Sequence, residues 1–291
     1  MSSPSDAQPA GRRGALVQGD GRTHLDTELM GASLIRADTV AASAAPHEVP
    51  MLPTVNVIGV GGRSIMDRGR GAVLPLVDAI VAARQEHELL VAVSGGARLR
   101  HVFHIALDLG LPVGALAQVA GPSEEQNVVM LQQLMGRHRS VILKRDDFAD
   151  VPLYVASGRI PLTISVPPYH YWEPPPRDGG RLPDSGSDFG VFLSAEALGA
   201  RTCIFIKDVD GVYDDDPAQN PDATLIPEIS AAALEARALP SLPIDRAVLR
   251  ALQSARFLRE VKVINGLRPG SLAAALAGAP TGTTITREER A

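Results

Sequence analysis

The chain has 291 residues, 45% hydrophobic and 21% charged, with a formal net charge of −5. That length can bury a substantial core as one large α/β domain or two small ones, and the acid excess offers nothing to nucleic acid or an anionic membrane. A single cysteine, Cys203, excludes an internal disulfide and fits a reducing compartment. No apolar run is long enough for a membrane span, and the first residues lack the pattern of a secretion signal, so a cytoplasmic location is expected.

Residues 1–53 are dominated by Ala, Ser, Gly, Pro and Asp without a sustained period, and read as a flexible arm or a strap over a neighbouring subunit. From residue 54 onward, strands and helices alternate. Val55–Val60 reads as a strand, and Ala72–His87 as a helix because Val73, Leu76, Val77, Ile80 and Val81 recur at helical spacing. Leu89–Val93 is a strand and Ala97–Leu109 a helix. Ser123 with Gln126 forms a capping box that opens a helix to about His138. Val141–Lys144 and Leu162–Val166 are strands, Ser187 caps a helix to Leu198, and Cys203–Ile206 is a strand, with Cys203 a packed apolar residue. Helices near Ala231–Ala238 and Asp245–Leu258, a strand at Val261–Ile264 and a helix at Leu272–Ala277 complete the series. Such alternation means a largely parallel central sheet covered by helices on both faces.

Three places carry chemistry. The strand at Cys203–Ile206 runs into Lys207, Asp208, Asp210, Gly211, Tyr213, Asp216 and Pro217. Ligands of open α/β sheets bind at that end of a strand, and carboxylates, a glycine and an aromatic suit a nucleotide; an acidic surface turn would read the same way. Two early strands end in glycine pairs, Gly61-Gly62 followed by Arg63, and Gly95-Gly96 followed by Ala97 and Arg98. Glycine turns bring backbone N–H groups close to phosphate oxygens, and Arg63 and Arg98 could neutralise an oxyanion. Neither turn is a P-loop or a G-x-G-x-x-G fingerprint. Basic residues are almost all arginine: the only lysines are Lys144, Lys207 and Lys262.

The order GGRS, VSGGA, Ser187-Asp188, KDVDGVYDDDP and VINGLRPGSL resembles the amino acid kinase fold family. The segment VDGVYDDDP with NPDAT is similar to bacterial uridylate kinases. GGRSIMDRG (Gly61–Gly69), ARLRHVF (Ala97–Phe103), LDLGLPVG (Leu107–Gly114), PPYH (Pro167–His170), LPIDRAVL (Leu242–Leu249) and NGLRPGSL (Asn265–Leu272) are similar to the family's molybdenum-storage branch. The resemblance implies an amino acid kinase fold over residues 54–291, ATP with Mg²⁺ as cofactors, and a homo- or hetero-hexameric cage with a paralogous subunit. That cage would load molybdate or tungstate as polyoxometalate clusters. It implies nucleotide contacts from Gly61, Gly62, Gly95, Gly96, Lys207, Asp208, Asp210, Gly211, Tyr213, Asp216 and Pro217, and catalytic roles for Asp188 and Arg63. One departure matters: the family's K-x-G-G lysine, which meets the transferring phosphate, is Gly59 here. Arg63 is the expected substitute, and slow or absent hydrolysis the expected consequence. The alternatives are a uridylate kinase-like phosphotransferase and a catalytically silent scaffold.

The segment Val166–Pro183 holds the only tryptophan, Trp172, and two of the four tyrosines, Tyr169 and Tyr171, around His170. The resemblance makes His170 a ligand of metal-oxide clusters; aromatic packing against a neighbouring subunit is the competing role. His101 and His104, at i,i+3 spacing, read as a capped or buried pair rather than ligands, and Asp67 as a brace for the first glycine loop.

Overall fold

The computed structural model describes residues 49–165 and 186–288 together with two short strands near the amino terminus. Two compact units divide the chain, Met1–Val49 and Pro50–Ala291. In the first, strand β1 (Leu16–Gln18) pairs antiparallel with β2 (Thr23–Leu25), Leu16 facing Leu25.

The second unit is built on an eight-stranded sheet. In chain order its elements are β3 (Val55–Val60), α1 (Arg70–Ala83), β4 (Glu88–Val93), α2 (Gly96–Asp108), α3 (Val113–Met135), β5 (Ser140–Ile142), α4 (Val151–Ala156) and β6 (Ile160–Ile164). Then follow α5 (Ser187–Leu198), β7 (Thr202–Lys207), the small hairpin β8 (Val212–Tyr213) and β9 (Leu225–Ile226), β10 (Glu228–Ser230), α6 (Ala231–Ala236), α7 (Arg246–Gln253), β11 (Glu260–Asn265), α8 (Ser271–Leu276) and β12 (Thr283–Thr286). The strand order is β10-β12-β11-β7-β3-β4-β6-β5, and only the β11–β12 pairing is antiparallel. A largely parallel sheet is therefore confirmed, and its central strands are buried on both faces.

Alternation along the strands sorts side chains into two cores. Val55, Val57, Cys203 and Phe205 face one layer, where α5 contributes Val191, Phe192, Ala195 and Leu198, and α7 contributes Val248, Leu249 and Leu252. Ile58, Val60, Ile204 and Ile206 face the other, against Leu76 and Ile80 of α1, Leu131 and Met135 of α3 and Leu272 of α8. Gly59 belongs by parity to the α5 face.

Two caps expected from the sequence are not formed. The helix expected to open at Ser123 opens ten residues earlier, at Val113 behind Pro112, and runs through Pro122. Ser123 is buried inside it, while Leu116 and Ala120 of its first half pack on Leu99, Phe103 and Ala106 of α2. Tertiary burial outweighs the one intrahelical bond lost at a proline. At α5 the cap residue is Gly186 with no side-chain bond of its own; the Ser187 hydroxyl instead donates to Glu124 at 2.7 Å.

Candidate functional site

The carboxyl ends of the adjacent parallel strands β4, β3 and β7 open into a cleft of ≈ 650 Å³, walled by α2, the start of α5 and residues 242–245. Among the described residues Gly61, Gly62, Arg63, Gly96, Asp188, Lys207 and Asp208 line it, so four separate sequence motifs meet there. The chain reverses after β3 by packing Gly61 under the Ile206 carbonyl, to which its N–H donates at 3.1 Å. A Cβ on Gly62 would collide with the Gly96 backbone, so the two glycine turns touch main chain to main chain. Among the described residues the N–H groups of Gly62, Arg63 and Ser64 have no protein acceptor. Three successive free amides at a strand end form a concavity suited to an anion.

The helix termini at this cleft already hold carboxylates. Asp67 Oδ2 accepts from the Ala97 N–H at 2.7 Å, so Asp67 caps α2 at the second glycine turn as well as closing the first. Asp245 Oδ2 accepts from Gly186 and Phe189 N–H at 2.9 and 3.1 Å, and so caps α5. Burial, then the neighbouring Asp188 charge, pushes the Asp245 carboxyl up to about 6, against partial relief from those amides and from Lys207. Lys207 Nζ donates to both oxygens of Asp188, at 2.7 and 2.9 Å, with both side chains under one-fifth exposed. Lys207 lies two residues beyond Phe205, the register partner of Gly59, and therefore on the same sheet face. A Cβ at Gly59 would meet Val191 at 3.1 Å and Phe205 at 3.3 Å, so that position is filled by the apolar core immediately beneath the Lys207–Asp188 pair.

The remaining expected nucleotide contacts sit elsewhere. Gly95 is absent from the cleft lining, and a Cβ there would press on Leu99 of α2 and Glu124 of α3. Asp210, Gly211, Tyr213, Asp216 and Pro217 do not line the cleft, although Val209, next to Asp210, does. Asp210 accepts from Asn265 Nδ2 at 2.8 Å and from Arg268 and the Tyr213 hydroxyl, which burial and Asp210 hold above its ordinary pKa. Gly211, at φ +154°, packs beside Thr283. Asp214, Asp215 and Asp216 accept from the N–H groups of Thr224, Asp216 and Ala218, so the acidic run is spent on shaping its own turns. Asp208 stays at the cleft rim, paired with Arg68 at 2.5 Å.

Arg98 bonds Asn127 and lies outside the cleft lining; Arg100, not singled out from the sequence, lines it instead. Residues two apart on a helix point to different sides, so the ARLR motif held the signal but not the choice. Asp245 and Glu124 were also missed. Glu124 is fully buried and accepts from the Ser165 N–H and the Ser187 hydroxyl, both at 2.7 Å, joining the ends of β6 and α5. Burial raises the Cys203 thiol pKa and removes it as a nucleophile, as expected. His101 and His104 are exposed on α2, not buried as expected. His170 lies outside the described residues, as do Tyr169, Tyr171 and Trp172. No group of three or more His, Cys, Asp or Glu side chains among the described residues is placed to hold a metal ion, and no described helix is long and apolar enough to cross a membrane.

Comparison with known proteins places this architecture. The profile of the amino acid kinase family matches residues 174–265. The solved uridylate kinase of Archaeoglobus fulgidus superposes with a TM-score of 0.63 at 20% identity, over 79% of this chain and 99% of its own, which shows a shared fold. The uridylate kinase of Methanothermobacter thermautotrophicus is 27% identical over 80% of this chain and 99% of its own. The chain belongs to the amino acid kinase family, in its molybdenum storage branch. It is 44% identical to the Molybdenum storage protein subunit beta of Azotobacter vinelandii over 262 residues, 90% of this chain and 97% of that protein.

Proposed function

We propose that this chain is an ATP-binding subunit of a molybdenum- or tungsten-storage assembly. In this reading nucleotide held in the cleft drives uptake of molybdate or tungstate as polyoxometalate inside a hexameric cage, formed with further copies or a paralogous subunit. The observation that carries it is the near full-length likeness to a storage subunit, coupled to a cleft lined by free amides and one largely buried lysine, Lys207. The location that suits this reading is the cytoplasm.

The residues fit the nucleotide as follows. The amides of Gly62, Arg63 and Ser64 receive the terminal phosphate, because the helix ends on either side are already occupied by Asp67 and Asp245. Lys207 supplies the ammonium that Gly59 lacks. Asp188 holds it by two hydrogen bonds, leaving its third N–H for phosphate. Mg²⁺ commonly binds through one or two carboxylates together with phosphate oxygens, and Asp208, released from Arg68, is the rim carboxylate suited to it. ATP supplies the phosphoryl group whose transfer to water provides the driving force. Gly96 keeps the approach open, whereas Gly95 serves the contact between helices. Asp210, Gly211, Tyr213, Asp216 and Pro217 shape the neighbouring wall, and His170 is retained as the imidazole facing the cluster.

A binding-only subunit is the second reading, favoured by the filled Gly59 position. Thermal melts with millimolar MgATP, read beside phosphate release, separate the two. A stabilisation of several degrees with turnover supports the first reading, stabilisation without turnover the second, and no stabilisation refutes both.

A further inference from the structure

The end of the sheet opposite the cleft carries a cluster of unmatched cations. Strands β5 and β6 run parallel to β4, and Ser140 is the register partner of Ile160. The residues just before them, Arg139 and Arg159, therefore stand side by side at the head of the two strands, and the Ile160 N–H donates to the Arg139 carbonyl at 3.2 Å. From the end of α1, Arg84 Nε donates to the Gly158 carbonyl at 3.1 Å. A Cβ on Gly158 would stand 3.2 Å from the Arg84 guanidinium and 3.7 Å from that of Arg139, so both cations flank one point. Among the described residues Arg84, Arg139 and Arg159 have no ion-pair partner. Of the carboxylates that follow Arg84 in the chain, Glu88 accepts from the Thr54 hydroxyl and Glu86 makes no ion pair among the described residues.

Helix ends account for only part of this charge. Helices α1, α3 and α4 all finish here, and each brings at most about half a negative charge at its carboxyl end. With the exposed Arg137 beside them, the guanidiniums exceed that sum by about two charges. Arg139 is also held at φ +63°, in the left-handed region that favours glycine or asparagine, so a cation is kept where the backbone disfavours it. Like charges set side by side on paired strands repel until an anion joins them. We propose that Arg84, Arg139 and Arg159 form a binding site for a short phosphoanhydride chain. Guanidinium forks match phosphate oxygens, and an array spread over two strands and a helix end suits more than one phosphate group. Tyr154, the aromatic of α4, is packed against the core and offers no ring to a base. Inorganic pyrophosphate and the phosphate tail of a nucleotide share this chemistry. The site stands whether or not the cleft holds a nucleotide.

The test uses the full chain at pH 7.5 and low ionic strength, because salt screens exposed charges. Pyrophosphate, tripolyphosphate, orthophosphate and ATP are titrated calorimetrically, without Mg²⁺, into wild type, Arg139→Asn and Arg159→Gln. Pyrophosphate and tripolyphosphate should bind wild type at least tenfold more tightly than orthophosphate, and each variant should weaken them at least tenfold. Asparagine tolerates the left-handed backbone, so Arg139→Asn should also melt above wild type in the absence of anion. If Arg139→Asn does not fold, Arg159→Gln carries the comparison. ATP affinity that falls in step with that of pyrophosphate identifies a nucleotide tail as the ligand; ATP affinity that does not change identifies a free phosphoanhydride, and either result upholds the site. Unchanged pyrophosphate affinity in both variants places the anion elsewhere and overturns the proposal, as does orthophosphate binding as tightly as pyrophosphate. An Arg139→Asn protein that melts below wild type without anion makes the arginine a brace for the helix ends and overturns it too.

Discussion

Replacing Asp245 with Asn should stabilise the protein at neutral pH. The carboxyl's ordinary value of 3.8 is pushed up to about 6 by burial and by Asp188, so its ionised form is disfavoured in the folded state. A shift of about two units corresponds to roughly 2–3 kcal/mol of native stability lost once the group is charged. The sign follows from the direction. A carboxyl with a raised folded pKa carries no penalty below about pH 4, and the penalty grows as pH rises through the window to about 6. Asn keeps an oxygen that can accept from Gly186 and Phe189 N–H, now accepting at 2.9 and 3.1 Å, and removes the charge. For a domain of this size the gain is roughly 5–10 °C in Tm. Urea unfolding followed by far-UV circular dichroism from pH 4 to 8 measures it: the variant should exceed wild type by about 2–3 kcal/mol at pH 7.5 and match it near pH 4. A variant less stable than wild type at pH 7.5, or a difference independent of pH, would refute the reasoning.

Lys207→Met should destabilise the fold by about 3 kcal/mol, because Asp188 would remain under one-fifth exposed beside Asp245 without its counter-charge. It should also abolish ATP turnover, and unchanged phosphate release would pass the role to another cation. Gly59→Lys should cost about 1–3 kcal/mol, since a Cβ there meets Val191 at 3.1 Å, and should not raise turnover because Lys207 already serves the site. Adding Val191→Ala should recover part of that stability in a thermal melt; a tenfold gain in turnover from Gly59→Lys alone would count against the assignment of Lys207.

The sheet was readable because its signal is local: β3, β4, β7 and β11 are apolar runs whose ends fall within a residue or two of expectation. The short strands β8, β9, β10 and β12 were missed, being two to four residues long and held by pairing partners distant in sequence. A helix start failed where a local cap signal competed with burial, at Ser123 inside α3; at Ser187 the helix opens where expected, but its capping carboxylate comes from Asp245, about sixty residues later. Residues of the two glycine turns and of the KD motif meet at one cleft. The acidic run beyond them was not separable by composition, because carboxylates that build turns and carboxylates that bind metal read alike. Arg100 and Asp245 were legible only as members of matched motifs; their approach to Arg63 and Asp188 is a product of the fold.

The central claim is that nucleotide in this cleft drives oxoanion storage, and its direct test is metal content after loading. The purified chain, stripped of metal, is incubated with molybdate or tungstate with and without MgATP, desalted, and analysed by elemental mass spectrometry alongside particle size. The account predicts many metal atoms retained per subunit only when MgATP is present, on a particle larger than a monomer. Retention of no metal, or equal retention without nucleotide, would contradict it.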